Sequence, residues 1–464
     1  MRVSPLLVVI VALLGAAVVL LIGAAILQPT RPLLADVQLS LNRITPNADG
    51  SDDVTEIRYT LSRSARLSIT FTDDASGQIF AFREDEIRTA NAYRVLFSGV
   101  VNGFTLPNEN ISGQVERRLM PNGRYTWQIR AVDVASGEEM RESGTFEIAD
   151  GDSLLPDIQS YEIAPRLFTP NQDGYADRIA INLYLAKPAR LTVYLEGAEG
   201  VPYYIAERQA PLDPNHGGAR EFDYDGGVDN NIVPPPDGEY QVIAIAEDDE
   251  GQRVRRVERI TIQDGGLPQA EIVAQSTGRT VTWESMPYDE SFFTDAVTKG
   301  RKVDPPSGVT STQAQITLPQ GELLIFALRV RNYGVTPIRT IGPFAGTVYQ
   351  YEQTNAAMSD PNTREAISGA WRIGIECERS ETSYPYRWAI GGLDQLTVVE
   401  RENETLYYLM PGQEATVWGA IRMTRLIPTR NPQKCFAALI HEDVAIPPRQ
   451  NRVGEIDVRL LGAE

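Results

Sequence analysis

Two hydrophobic patterns divide the chain. From Leu6 to Leu27 the residues are almost all apolar and none is charged. About 20 such residues span a bilayer as a helix, whereas a cleavable signal peptide carries an apolar core of only about 7–15. The length favours an uncleaved transmembrane anchor within residues 1–35 over a signal peptide cut at Leu33-Leu34-Ala35. Arg2 and the α-amino group precede the apolar run, and positive charge tends to stay in the cytoplasm, which places the rest of the chain outside. Arg31, just past the run, weakens that charge argument. Beyond residue 35 apolar and polar residues alternate in short runs, as in Ile57-Arg58-Tyr59-Thr60-Leu61 and Leu67-Ser68-Ile69-Thr70-Phe71. A period of two marks half-buried strands.

The strand pattern occurs twice. One stretch opens Ile44-Thr45-Pro46-Asn47-Ala48-Asp49-Gly50 and another Phe168-Thr169-Pro170-Asn171-Gln172-Asp173-Gly174. They then run in step through Ile57/Ile181, Leu61/Leu185, Arg66/Arg190 and Leu67/Leu191. A later strand follows Pro121-Asn122-Gly123 in one copy and Pro236-Asp237-Gly238 in the other, both tight-turn signals. The distance to that strand is nine residues longer in the first copy. The extra length is placed near Val100 to Gln114 as a loop. Short strands with regular turn signals predict β-sandwiches. A third domain begins near Leu267, with strands at Leu323–Val330, Leu393–Glu400, Thr405–Leu409, Ala415–Ile421 and Val453–Leu461. Its longer insertions are Glu284–Thr312 and Asn355–Ser368, and residues 355–368 are expected to hold a short helix. The reading is therefore an all-β chain: an anchor and short linker (1–35), repeat one (36–150), repeat two (151–266) and a C-terminal sandwich (267–464). The linkers are short, so the modules should form a semi-rigid rod.

Composition changes this picture little. The 464 residues are 42% hydrophobic and 23% charged, with a formal net charge of -19. No basic patch stands out, which argues against nucleic acid as a partner. The two cysteines, Cys377 and Cys435, lie in strand-like runs of the third domain. In an exported protein they read as a disulfide, with two buried free thiols as the alternative.

The acidic turns are the first candidate site. Oxygen side chains at alternate positions around a glycine turn converge on hard cations in calcium loops. The ligands would be Asn47, Asp49 and Asp53, with Asp52 nearby, and Asn171, Asp173 and Asp177, holding a structural Ca2+. The competing reading is a turn in which Asn and Asp bond their own backbone. The two histidines, His216 and His441, read as surface residues, and no catalytic motif surrounds them. Tyr384, Tyr386 and Trp388 form the segment expected to be exposed and to contact a partner, with core packing as its alternative.

The two copies resemble the immunoglobulin-like module found at the C-terminus of flagellar hook-cap proteins and in many bacterial surface proteins. Copy two carries the resemblance in Thr169-Pro170-Asn171, Asp173-Gly174, Asp177, Tyr224-Asp225-Gly226, Gly238-Glu239-Tyr240 and Asp248-Asp249-Glu250-Gly251. Copy one keeps Thr45-Pro46-Asn47, Asp49-Gly50, Asp53 and Gly123-Arg124-Tyr125, but Phe97-Ser98-Gly99 stands for the aromatic-Asp-Gly segment. Nothing resembles the hook-cap assembly region, so a flagellar role does not carry over. The last domain resembles a CARDB-type sandwich in Val330-Arg331-Asn332-Tyr333-Gly334 and Pro411-Gly412. What these features imply is a non-enzymatic, single-pass membrane protein whose repeats hold the last domain toward a protein or glycan partner in the cell envelope. An accessory subunit of a membrane complex and an envelope enzyme acting on glycans or peptides are the rival readings.

Overall fold

The computed structural model describes residues 10, 13–19, 31–209, 213, 215–275, 278–290, 303–306, 314–353, 367–378, 382–401 and 404–462. Within the apolar N-terminal run only Ile10 and residues 13–19 are described, and they are helical. No helix among the described residues is long and apolar enough to cross a membrane. The expected anchor and the expected helix at 355–368 therefore fall mostly outside the described residues.

The first sandwich holds β1 (Leu34–Leu39), β2 (Arg43–Ile44), β3 (Thr55–Leu61), β4 (Ala65–Asp73), β5 (Ile79–Arg88), β6 (Asn91–Phe97), β7 (Val100–Asn102), β8 (Gln114–Leu119), β9 (Gly123–Asp133) and β10 (Glu139–Ile148). The second holds β11 (Ile158–Ala164), β12 (Leu167–Phe168), β13 (Ile179–Leu185), β14 (Arg190–Glu196), β15 (Pro202–Ile205), β16 (Gly218–Tyr224), β17 (Gly238–Glu247) and β18 (Arg253–Ile262). Their sheet orders correspond strand for strand. β1-β3-β6 matches β11-β13-β16, and β2-β10-β9-β4-β5 matches β12-β18-β17-β14-β15. This is the two-sheet arrangement of immunoglobulin-like domains. In both copies a tyrosine at the start of the late strand donates its hydroxyl to the backbone four residues upstream, Tyr125 to Pro121 and Tyr240 to Pro236. That corner is a hallmark of such sandwiches. Alternation explains the cores: Ile57, Tyr59 and Leu61 are buried between polar neighbours on β3, and Ile181, Leu183 and Leu185 between exposed neighbours on β13.

The nine extra residues of copy one are not simply a loop. They belong to a hairpin, β7–β8, whose second strand pairs antiparallel with β18 of the second sandwich (Arg253↔Arg117, Val254↔Val115, Arg255↔Gln114). An open sheet edge exposes unpaired backbone groups, and this hairpin covers one. The same joint holds a buried cluster. Lys187 Nζ lies 2.8 Å from Asp152, 3.1 Å from Asp248 and 3.1 Å from Glu250. Burial works against the Lys187 charge, but its carboxylate partners outweigh it and hold the ammonium above its ordinary range. Burial pushes Asp248 up to about 6. Gln252 ties the linker down, donating to the carbonyls of Asp152 and Leu154 and accepting from Leu119 N–H.

The third sandwich comprises β19 (Ala270–Val273), β20 (Val281–Met286), β21 (Gln315–Pro319), β22 (Leu323–Asn332), β23 (Ile338–Thr340), β24 (Val348–Gln350), β25 (Trp371–Cys377), β26 (Tyr386–Ala389), β27 (Thr397–Arg401), β28 (Glu404–Leu409), β29 (Glu414–Arg422), β30 (Gln433–His441) and β31 (Val453–Leu461). One sheet runs β19-β22-β29-β24 with β20 also on β22, the second β21-β31-β30-β25-β26, and a small third β23-β28-β27. β22 is apolar without alternation because both of its faces are covered. Leu324, Phe326 and Leu328 enter the main core, while Leu323 and Ile325 join Val303, Val348 and Ala420 on the other side.

Candidate functional site

The two acidic turns share one local structure. In copy one the Asp53 carboxylate accepts backbone N–H groups of Asn47, Ala48 and Gly50, Asn47 Oδ1 accepts from Asp49 N–H, and Asp49 from Ser51 N–H. In copy two Asp177 accepts from Asn171, Asp173 and Gly174, Asn171 from Asp173, and Asp173 from Tyr175. Three alternate residues sit at positive φ in each: Ala48, Gly50 and Asp52, then Gln172, Gly174 and Ala176. The side-chain oxygens proposed as cation ligands thus serve the turn's own backbone, which is how Asn and Asp stabilise such turns. Among the described residues no group of three or more His, Cys, Asp or Glu side chains is placed to hold a metal ion.

Their surroundings differ. Asn47 and Asp49 are exposed, whereas Asn171 and Asp173 are each 3% exposed. The second turn plugs into the third sandwich beside its small sheet. Tyr408 on β28 donates its hydroxyl to Asp173 at 2.8 Å. Arg339 on β23 donates to the carbonyls of Asp173 and Ser368 and lies 4.9 Å over the Tyr175 ring. The Tyr175 hydroxyl donates to Glu404. His441, at the end of β30, donates from Nε2 to Gln172 O at 2.8 Å and stacks on Trp371 with ring centroids 4.4 Å apart. Thr336 Oγ1 donates to Asp264 O, closing the far side. A Cβ on Gly174 would lie 2.4 Å from Ser368 O, and one on Gly369 2.4 Å from Gly174 N, so the backbones touch where only glycine fits.

Charge in this joint is shaped by burial. Burial drives Asp173 above the ordinary carboxylate range. Burial, with the adjacent Asp173 charge, pushes Asp177 up to about 6. Burial lowers His441 to about 4, so the imidazole is neutral near pH 7. The expectation of a surface histidine is therefore corrected for His441: its ring is desolvated between two sandwiches. His216 does lie on a polar loop, its Nδ1 bonded to Asp213 O.

The partner-contact segment is also corrected. Tyr384 and Tyr386 are each 3% exposed and Trp388 is fully buried. Tyr384 packs on Phe436 and bonds Asn451, Tyr386 donates to Tyr351 O, and Trp388 sits edge-on to Phe326 and Tyr349. Tyr386 and Trp388, two residues apart on β26, enter the main core, whereas Tyr384, at positive φ, packs with Phe436, Ala438 and Ile440 on the other face of β30. Cys377 and Cys435 face each other across β25 and β30 with Cα atoms 4.0 Å apart, joined as a disulfide. Sequence reasoning missed Arg339, Tyr408 and the buried Arg372–Glu442–Arg387 cluster. Tyr175, aromatic where copy one has Ser51, was the available hint of a covered turn.

No protein-family profile matches the chain, the hook-cap-type module and the CARDB type included, and no curated protein matches it. Among solved structures it is similar to the D00–D0 domain of intimin, at 10% identity over 49% of this chain and 99% of that one with a TM-score of 0.16. It is similar to a structure from a 1.5-MDa bacterial ice-binding adhesin, at 10% identity over 94% and 100% with a TM-score of 0.17. It is also similar to SGBP-B of the Bacteroides ovatus mixed-linkage glucan utilization locus, at 11% identity over 94% and 70% with a TM-score of 0.14. Likeness at that level carries no argument about what this chain does.

Proposed function

We propose that this chain is a membrane-tethered, extracytoplasmic binding protein. Two immunoglobulin-like modules act as a stiff spacer that presents the third sandwich to a protein or glycan of the cell envelope, and the chain works by contact and not by catalysis. The observation that carries this reading is that both joints are built. A shared sheet and the Lys187 cluster hold the first, and the buried second turn with Arg339, Tyr408 and His441 holds the other. A stalk needs such joints, since a flexible string would not fix the reach of its tip. The buried titratable groups Asp173, Lys187, Asp248 and His441 are used in those joints. The uncharged run Leu6–Leu27 supports the tether. Protease treatment of intact cells tests the placement. Digestion of everything beyond residue 31 is expected, and full protection until the cells are lysed would contradict it.

A further inference from the structure

The duplicated sandwiches differ at one cation. Arg63 and Lys187 hold the same place, each three residues before the matched pair Arg66/Arg190. Asp133 and Asp248 also correspond, both at the end of the late strand beside the start of β4 or β14. In copy one Arg63 bridges Asp133 at 2.7 Å and Glu138 at 2.6 Å on the surface. In copy two the Lys187 side chain is only 9% exposed, and the Asp248 and Glu250 side chains that it meets are 1% and 6% exposed. Arginine holds carboxylates at least as well as lysine does, by a two-pronged bond, but it does not give up its proton. An amine does, and can then act as a nucleophile. The Asp248 carboxyl is held at both oxygens. Oδ1 accepts from Gln252 N–H at 2.7 Å, and Oδ2 accepts from Gln252 Nε2 at 2.9 Å and from Lys187 Nζ at 3.1 Å. Glu250 Oε2 lies 3.1 Å from the same Nζ.

We propose that Lys187 and Asp248 condense to an amide, a covalent crosslink inside the second sandwich, with Glu250 as the proton acceptor. The reacting form has Lys187 as ammonium, Asp248 as the free acid and Glu250 as carboxylate. Glu250 takes a proton from Nζ, and burial favours that transfer because it replaces a desolvated ion pair by two neutral groups. The amine lone pair then attacks Cγ of Asp248. The C=O electrons move onto Oδ1, where the Gln252 N–H stabilises the developing charge. Oδ2 leaves with its own proton and one from the nitrogen, as water. Ammonium, acid and carboxylate thus become an amide, one water and a protonated Glu250, with no other reactant. Asp248 is the acyl donor because burial raises it to about 6, which leaves part of the population as the acid near neutral pH. Burial also works against the Asp152 charge, but the Lys187 ammonium holds that carboxyl below its ordinary range, as the unreactive ion. The half-exposed Asp152 side of the cluster gives the water its exit. One slow turnover per chain suffices, since nothing in the cluster reverses it once the water has left. The amide joins positions 61 residues apart and fixes the β13–β14 turn to the end of β17, where the linker rests on Gln252.

Intact-mass spectrometry of the purified full chain, denatured and with the Cys377–Cys435 disulfide reduced, tests the bond. The comparison is with Lys187→Arg, which carries the residue that copy one uses at this place and keeps the positive charge. After allowance for the substitution, the native chain should be lighter by one water, and any processing of the N-terminus cancels. Digestion of the native chain should release one branched peptide, with Lys187 joined to Asp248, and this readout needs no variant to fold. Glu250→Gln should restore the full mass, whereas Asp152→Asn should keep the loss. A native chain of full mass, a water loss that survives Lys187→Arg or Glu250→Gln, or a branch at Asp152 would overturn the proposal.

Discussion

The turn at Asn47–Asp53 and the turn at Asn171–Asp177 share their left-handed positions and, but for one amide, their carboxylate-to-amide bonds: Asp53 accepts from Ala48 where Asp177 accepts from Asp173. One is open to solvent; the other is a plug. A Cβ on Gly50 would meet nothing within 4 Å, whereas one on Gly174 would meet the backbone of the third sandwich. The difference teaches that the motif itself is a turn former, and that its second use, as a connector, was added by what lies across from it. The two joints between the sandwiches are accordingly unlike. The first relies on an added hairpin strand and a buried lysine, the second on the duplicated turn itself.

The sharpest way to break the comparison is one substitution made in both copies. Gly50→Ala should cost about 1 kcal/mol, the penalty of a Cβ at positive φ. Gly174→Ala adds a backbone clash and should cost about 4 kcal/mol, largely by opening the joint. Denaturant unfolding of the two variants measures this, and equal losses would mean that the second turn is not a plug.

The next effect is the pH response of His441. Its folded value of about 4 lies below the ordinary 6.5, so the neutral ring favours the joint above pH 6.5, and that support is lost as pH falls toward 4. The span corresponds to about 3 kcal/mol. Asp177 works in the opposite sense. Raised to about 6, it gives support that is complete below about 3.8 and lost as pH rises through 6. The difference between the native chain and His441→Gln isolates the histidine. The native chain should lose more stability than the variant between pH 7 and pH 4, and parallel profiles would refute a buried neutral ring.

Tyr408→Phe removes the hydroxyl that Asp173 accepts and should cost about 2 kcal/mol. Asp49→Asn, at the exposed counterpart, should stay within about 0.5 kcal/mol of the native chain. The smallest effect expected is that of calcium. Since both turns spend carboxylate oxygens on their own amides, thermal melts with calcium and with chelator should coincide. A calcium-dependent rise would restore the cation reading, and it would do so first at the exposed turn.

The sandwiches could be read in the sequence because a two-residue period and a repeated turn are local signals. Val453–Leu461 was bounded as the structure has it, and the strands of β3, β4, β9 and β17 were placed within a few residues. The joints could not be read, because their partners are distant: Tyr408 lies 235 residues from Asp173 and His441 269 residues from Gln172. Nothing near either end of those bonds announces the other. The segment Tyr384–Trp388 failed for a different reason. Its aromatics and proline suggest exposure, yet Tyr386 and Trp388 alternate into the core, while Tyr384, at positive φ, is buried on the other face of β30, which no two-residue period announces. The hairpin β7–β8 reads as a loop in the sequence because its strands are short and its pairing partner belongs to the next module.

The central claim is that two dissimilar joints make the three sandwiches one stiff rod. Spin labels on exposed strands of the first and third sandwiches, with their separation measured by pulsed electron resonance, test it most directly. The account predicts one narrow distance distribution in the native chain and a broad one in Gly174→Ala. A broad distribution in the native chain, unchanged by that substitution, would contradict it.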